Sequence, residues 1–198
     1  MDTSEEDSSE KELVRDGCVD DNQVEALLTY TSWSELRESK NKLMIQQRLL
    51  RAYGLIKNVV NFILKIISGD KVKFVLYSCH DKTLQYLLSS LGLIKETPYI
   101  PYAARLSFEV YRSEMNTQFY LRMLYNGKDV TSLVSFCEGG KSLRVKRGRK
   151  LGKADLCPIE NVIRFTHDDF FAPLNATNFK DACVAPISPV KDIYSNYF

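Results

Sequence analysis

The chain of 198 residues contains no Cys-x-x-Cys pair, which removes the usual thiolate framework for structural zinc. It has no run of about 20 apolar residues of the kind a membrane-spanning helix needs. The most apolar window, residues 55–68, is broken by Lys57, Asn58, Asn61 and Lys65. Nor does the amino terminus carry the basic and then apolar pattern of a secretory leader, so the chain as written is expected to be soluble, without an address or anchor of its own. Histidine is scarce, with two in the whole sequence. The formal net charge of +2 hides an asymmetry: residues 1–21 carry −7 and the remainder +9. That acidic leader, with almost no apolar side chains to offset the entropy of ordering, is expected to be solvated and disordered. The body, residues 22–183, is expected to form one domain, followed by a tail at 184–198.

From Asp21 to Ser68 the pattern is helical. Val24, Leu27 and Leu28 make a short apolar face, and Ser32 with Glu35 reads as a capping box opening a second helix. Leu55, Ile56, Val59, Val60, Ile63, Ile66 and Ile67 then recur at spacings of three and four until Gly69-Asp70. "KVKFVLY" (71–77) reads as a mostly buried strand, and Leu84, Leu87, Leu88 and Leu91 return to helical spacing before Gly92. Beyond Pro98 the period falls to two at Leu106, Phe108 and Val110 and again over 118–125, with Asn126-Gly127 turning a hairpin into "KDVTSLVSF". Pro158 is expected at the first position of a last helix. The expected class is α/β, a mixed sheet with an N-terminal helical portion.

His80 and Asp81 stand where the expected strand gives way to the next helix, the junction at which open α/β sheets bind ligands. Free amides and the helix dipole favour an anion there. A histidine can hold a phosphoryl oxygen, and a carboxylic acid beside it can protonate a departing alcohol. A plainer reading has Asp81 as an ordinary N-cap with a histidine next to it. The dipeptide alone decides nothing, since His167-Asp168 repeats it without a strand in front.

Longer segments carry more. "YSCHDKTLQYLLSSLGL" resembles the second active-site motif of the histidine acid phosphatases, and "PYAARLSFEVY", "LRMLYNGKDVTSLVSFC", "LCPIENVIRF" and "DAC" follow in the order of that family's carboxyl half. The resemblance implies part of a phosphoglycerate-mutase-like sandwich, with His80 contacting phosphate and Asp81 as proton donor. It also implies a Cys137–Cys157 disulfide, with Arg105 structural and the partner of Cys183 lying in the amino half. Metal and other cofactors are expected to be absent, because the family works through a covalent histidine. The substrate implied is a phosphorylated sugar, in particular phosphoxylose of the proteoglycan linkage region, and the location a Golgi lumen within the secretory pathway. Asn175 opens an Asn-Ala-Thr glycosylation triplet consistent with such a location.

The family's Arg-His-Gly nucleophile motif has no counterpart here. Cys79 could replace it only with a depressed pKa and a phosphate cradle, which the sequence does not show. The chain alone is therefore expected to be inactive, either as a partial chain or as a short protein that has lost the chemistry. A different class of function rests on residues 139–153, which hold seven Lys or Arg and four Gly and read as a flexible basic loop. Lys146, Arg147, Arg149 and Lys150 could there hold an acidic polymer such as a glycosaminoglycan. Nucleic acid is not expected, because no aromatics are interleaved with the basic residues.

Overall fold

The computed structural model describes residues 19–38, 40–93, 99–114, 116–139, 141–146 and 153–186. Most of the expected acidic leader, Cys18, the tail beyond 186, Arg147, Arg149 and Lys150 lie outside the described residues.

Helix α1 runs over Asp21–Glu38 without interruption. The capping box is at its start rather than at Ser32: the Gln23 amide donates to Asp20 Oδ1 at 2.8 Å while the Asp20 amide donates to Gln23 Oε1 at 3.1 Å. Glu35 cannot cap because its carboxylate is turned to Arg48, whose Nη2 donates to Oε2 at 2.9 Å. Val24, Leu27 and Leu28, expected as an apolar face, are exposed.

Asn41 caps α2 (Lys42–Ile67), its Oδ1 accepting from the Leu43 amide at 2.9 Å. One stripe of α2, Leu49, Ala52, Ile56, Val60 and Ile63, is buried. Gly69, at φ 89°, supplies the left-handed residue that ends the helix. Helix α3 (Asp81–Ser90) buries Leu84, Leu87 and Leu88, and Gly92 at φ 85° turns the chain out of it.

The sheet comprises β1 (Leu106–Arg112), β2 (Phe119–Tyr125), β3 (Lys128–Asp129), β4 (Leu143–Lys146) and β5 (Lys153–Pro158). Its order is β1-β2-β5-β4, with β3 also on β2, and every described pairing is antiparallel. Leu121 and Met123 of β2 are fully buried and join the α2 and α3 stripes in one core with Val134, Phe165 and Phe170. Asn126 and Gly127 hold positive φ at the β2–β3 turn, as the hairpin requires.

Four further expectations need correction. The run 71–77 is not a buried strand: it pairs with no described strand, and Phe74 and Leu76 are 79% and 77% exposed. "KDVTSLVSF" leaves the sheet after two residues, because the Asp129 carboxylate accepts both the amide and the hydroxyl of Thr131 and folds the chain into a 3-10 turn at Thr131–Leu133. The basic stretch 139–153 is not wholly a loop. Its Leu143–Lys146 portion is β4, registered on β5 from Leu143 opposite Leu156 to Lys146 opposite Lys153 and pinned by an Arg144–Asp155 ion pair of 3.0 Å. Lastly, Cys157 belongs to β5 and Pro158 is the N-cap of α4 (Ile159–Arg164), not its first residue; a further short helix, α5 (Phe179–Val184), follows.

Candidate functional site

The polypeptide reaches the site along an extended stretch, residues 72–80, that leans on α2 through Tyr77, whose hydroxyl donates to Asn58 Oδ1 at 2.6 Å. Burial of that hydroxyl raises the Tyr77 pKa above its ordinary value. His80, at φ −86° and ψ 163°, is the last extended residue and the N-cap of α3. Its carbonyl accepts the Leu84 amide at 3.1 Å and opens the helix, while its side chain makes no capping hydrogen bond.

Asp81 is therefore the first helical residue, one position later than the ordinary-cap reading requires. Its Oδ1 accepts from the neighbouring Lys82 amide at 2.8 Å. His80 and Asp81 are consecutive, both exposed, and at the positive end of α3. The arrangement can receive an anion from solvent and present an acid beside it.

A charge network that sequence reasoning missed fixes this end of α3. Lys82 Nζ lies 3.3 Å from Glu35 Oε1 and donates to Gln85 Oε1 at 3.1 Å, and Glu35 is in turn paired with Arg48. Arg48 is 4% exposed and stands on the same face of α2 as Leu49, Ala52 and Ile56. A guanidinium among core positions was the available signal, since a buried charge requires a partner. The network is a positioning device: it ties α1, α2 and the first turn of α3 together.

The other expected site residues are dispersed. Cys137 and Cys157 form the disulfide that the resemblance implied, with Cα atoms 5.7 Å apart. Cys79, next to His80, and Cys183 are free and exposed. Arg105 sits just before β1, where its amide donates to Asn126 Oδ1 at 2.8 Å and its carbonyl accepts the Asn126 amide at 2.9 Å, a backbone role consistent with a structural residue. Asn175 is exposed with φ 53°, and Thr177 of its triplet donates to Asp181 Oδ2 at 3.0 Å. Lys146 closes β4, and its three basic companions fall outside the described residues. The second His-Asp pair, His167-Asp168, lies in a π-helical turn at Phe165–Asp169, with no extended segment leading into it.

Among the described residues no group of three or more His, Cys, Asp or Glu side chains could hold a metal ion. A cleft of about 720 Å³ opens at the far end of α3, lined by Arg48, Ser90, Ser135, Phe165 and Phe170, and neither His80 nor Asp81 contributes to it. No described helix is long and apolar enough to cross a membrane.

The chain is 36% identical over 173 residues to human 2-phosphoxylose phosphatase 1 and 34% identical over 171 residues to the Xenopus tropicalis protein of that name, in each case over 85% of this chain. A weaker match, 25% over 129 residues and 65% of this chain, is to counting factor 60 of Dictyostelium discoideum. The chain spans about a third of the length of these two relatives, 34% of the human protein and 32% of the Xenopus tropicalis one. No solved structure matches it. The family profile described as "Histidine phosphatase superfamily (branch 2)" covers residues 20–126, a span that takes in α1, the whole His80-Asp81 junction and the β1–β2 hairpin, and the chain belongs to that family.

Proposed function

We propose that this chain carries the proton-donating part of a phosphomonoester hydrolase whose substrate is a phosphorylated sugar of the 2-phosphoxylose type. Asp81 protonates the departing sugar hydroxyl, and His80 hydrogen-bonds a phosphoryl oxygen while the α3 amino terminus offsets its charge. The histidine nucleophile belongs to a portion of the domain outside this sequence, which contains no Arg-His-Gly. Loss of a nucleophile that acts as a unit with its partners costs ~10⁶ in rate, so the chain alone turns over no substrate.

The observation that carries this reading is the exposed His80-Asp81 pair at the first turn of a helix within the span matching the family. The Cys137–Cys157 disulfide supports an oxidising compartment, and the exposed Asn175 side chain is accessible to glycosylation there; a Golgi lumen fits both.

The test is the leaving-group dependence of Asp81→Asn in a protein completed with a nucleophile-bearing portion. Hydrolysis of xylose 2-phosphate, whose alkoxide leaves poorly, is expected to fall by ~10² to 10⁴, the usual contribution of a positioned acid. Hydrolysis of p-nitrophenyl phosphate, which needs little protonation, is expected to fall far less. Equal losses on the two substrates would remove Asp81 from the proton donor's role, and measurable turnover by the unaccompanied chain would remove the need for a second portion.

A further inference from the structure

The cleft of about 720 Å³ at the far end of α3 has polar atoms in its wall that no described group satisfies. Arg48 is 4% exposed, yet its guanidinium is not fully engaged. Nη2 donates to Glu35 Oε2 at 2.9 Å and lies 3.7 Å from Glu38 Oε2, whereas Nη1 is buried with no hydrogen-bond partner among the described residues. Ser135, which also lines the cleft, has its Oγ buried and unpartnered too. A buried donor without an acceptor has given up its hydration for nothing, and the loss is greater when the donor carries charge. Two such donors in one wall point to an acceptor that the cleft admits.

The rest of the lining narrows the class of ligand. Leu49, Phe136, Phe165 and Phe170 supply an apolar wall, which favours a body of the same kind. Lys40 and Lys141 are exposed lining residues with no carboxylate partner among the described residues, while Arg164 lies 3.8 Å from Asp169. The approach is therefore cationic and draws in an anion. Two carboxylates already face Arg48, so the wall holds too little uncompensated charge for a dianion such as a phosphate monoester. One guanidinium nitrogen and one hydroxyl match the two oxygens of a carboxylate. We propose that this cleft binds a small organic carboxylate, whose oxygens accept from Arg48 Nη1 and Ser135 Oγ and whose apolar body lies against Phe165 and Phe170. Both polar atoms are covered by their neighbours in this structure, so binding turns the Arg48 side chain slightly and carries Glu35, bonded to Nη2, with it. Neither His80 nor Asp81 lines the cleft, so this site stands or falls apart from the proposed hydrolysis.

The experiment titrates the full chain with hydrocinnamate, its neutral amide and inorganic phosphate, reading affinity by calorimetry and location by backbone amide shifts in NMR spectra. Hydrocinnamate is expected to bind one to one, shifting the amides of Glu35, Arg48, Ser135 and Phe165. The amide, of the same size without the charge, is expected to bind at least tenfold more weakly, and phosphate alone not measurably. Arg48→Gln would strip Glu35 of its buried partner and endanger the fold, so the deciding variants lie elsewhere in the lining. Ala172→Trp, at an exposed position, fills the cleft and is expected to weaken hydrocinnamate binding at least tenfold; Ser135→Ala and the double variant K40E/K141E are each expected to weaken it at least threefold. All three are expected to keep the circular dichroism of the parent. No binding up to about 10 mM hydrocinnamate, equal affinity for acid and amide, shifts gathered away from the cleft, or full affinity in Ala172→Trp would each overturn the proposal.

Discussion

Residues 106–125 and residues 72–77 have the same kind of sequence, rich in β-branched and aromatic side chains, and they end in opposite states. The first stretch forms β1 and β2, paired from Leu106 opposite Tyr125 to Arg112 opposite Phe119, with Leu121 and Met123 fully buried. The second is extended, pairs with no described strand and holds Phe74 and Leu76 in solvent. Composition does not separate them; the distance to a partner does. β1 and β2 are joined by six residues, a connection an antiparallel pair can make directly. The stretch at 72–77 lies between two helices, α2 and α3, so a strand paired beside it must come from a distant part of the chain or from another chain.

The sharpest way to test this contrast is to cut side chains on its two sides. Leu121→Ala opens a cavity beneath the sheet and is expected to destabilise the protein by about 2–5 kcal/mol, read as a lower urea midpoint. An unchanged midpoint would mean that the sheet does not anchor the core.

Asp129 gives the next largest effect and a pH signature. Burial opposes its charge, yet hydrogen bonds from Thr131 and from Arg122, whose Nε donates to Oδ2 at 2.8 Å, outweigh that and hold its pKa below the ordinary carboxylate value. A carboxyl group with a depressed folded pKa contributes its full stability above the unfolded value, about 3.9, and loses it as pH falls through the folded value. Asp129→Asn is therefore expected to cost about 1–3 kcal/mol at neutral pH, and the gap to the parent should narrow below about pH 4. A gap independent of pH would show that packing, not charge, is what Asp129 contributes.

What could be read from the sequence follows the same division. Helices α2 and α3, the β1–β2 pair and the Asn126-Gly127 turn were legible because each rests on contacts within a few residues, whether a stripe, an alternation or a positive-φ pair. The cap at Ser32 was misplaced because Glu35 answers to Arg48 and Lys82, partners 13 and 47 residues away that no local pattern reveals. The 3-10 turn after Asp129 was missed because one carboxylate competes with the ladder for the Thr131 amide. His80 and Asp81 were expected where a strand gives way to a helix; the helix is there, with His80 as its N-cap and Asp81 as its first residue, and the segment before it is extended but unpaired with any described strand. For 71–77 the strand-forming composition was read, and neither the strand nor its burial follows, since both depend on what packs alongside.

The smallest expected effect completes the comparison. Phe74→Ser removes an aromatic ring of the same size class as those that hold the core, and by composition alone it should be as harmful as Leu121→Ala. At 79% exposure the ring has little packing to lose, so the change in unfolding free energy is expected to stay within about 0.5 kcal/mol. Self-association should fall at the same time, because an open edge with an apolar face is what aggregation recruits. Equilibrium urea unfolding at two protein concentrations checks both parts. A loss of 2 kcal/mol or more at the lower concentration would mean that Phe74 is already packed within this chain, and the distinction between the completed sheet and the open edge would collapse.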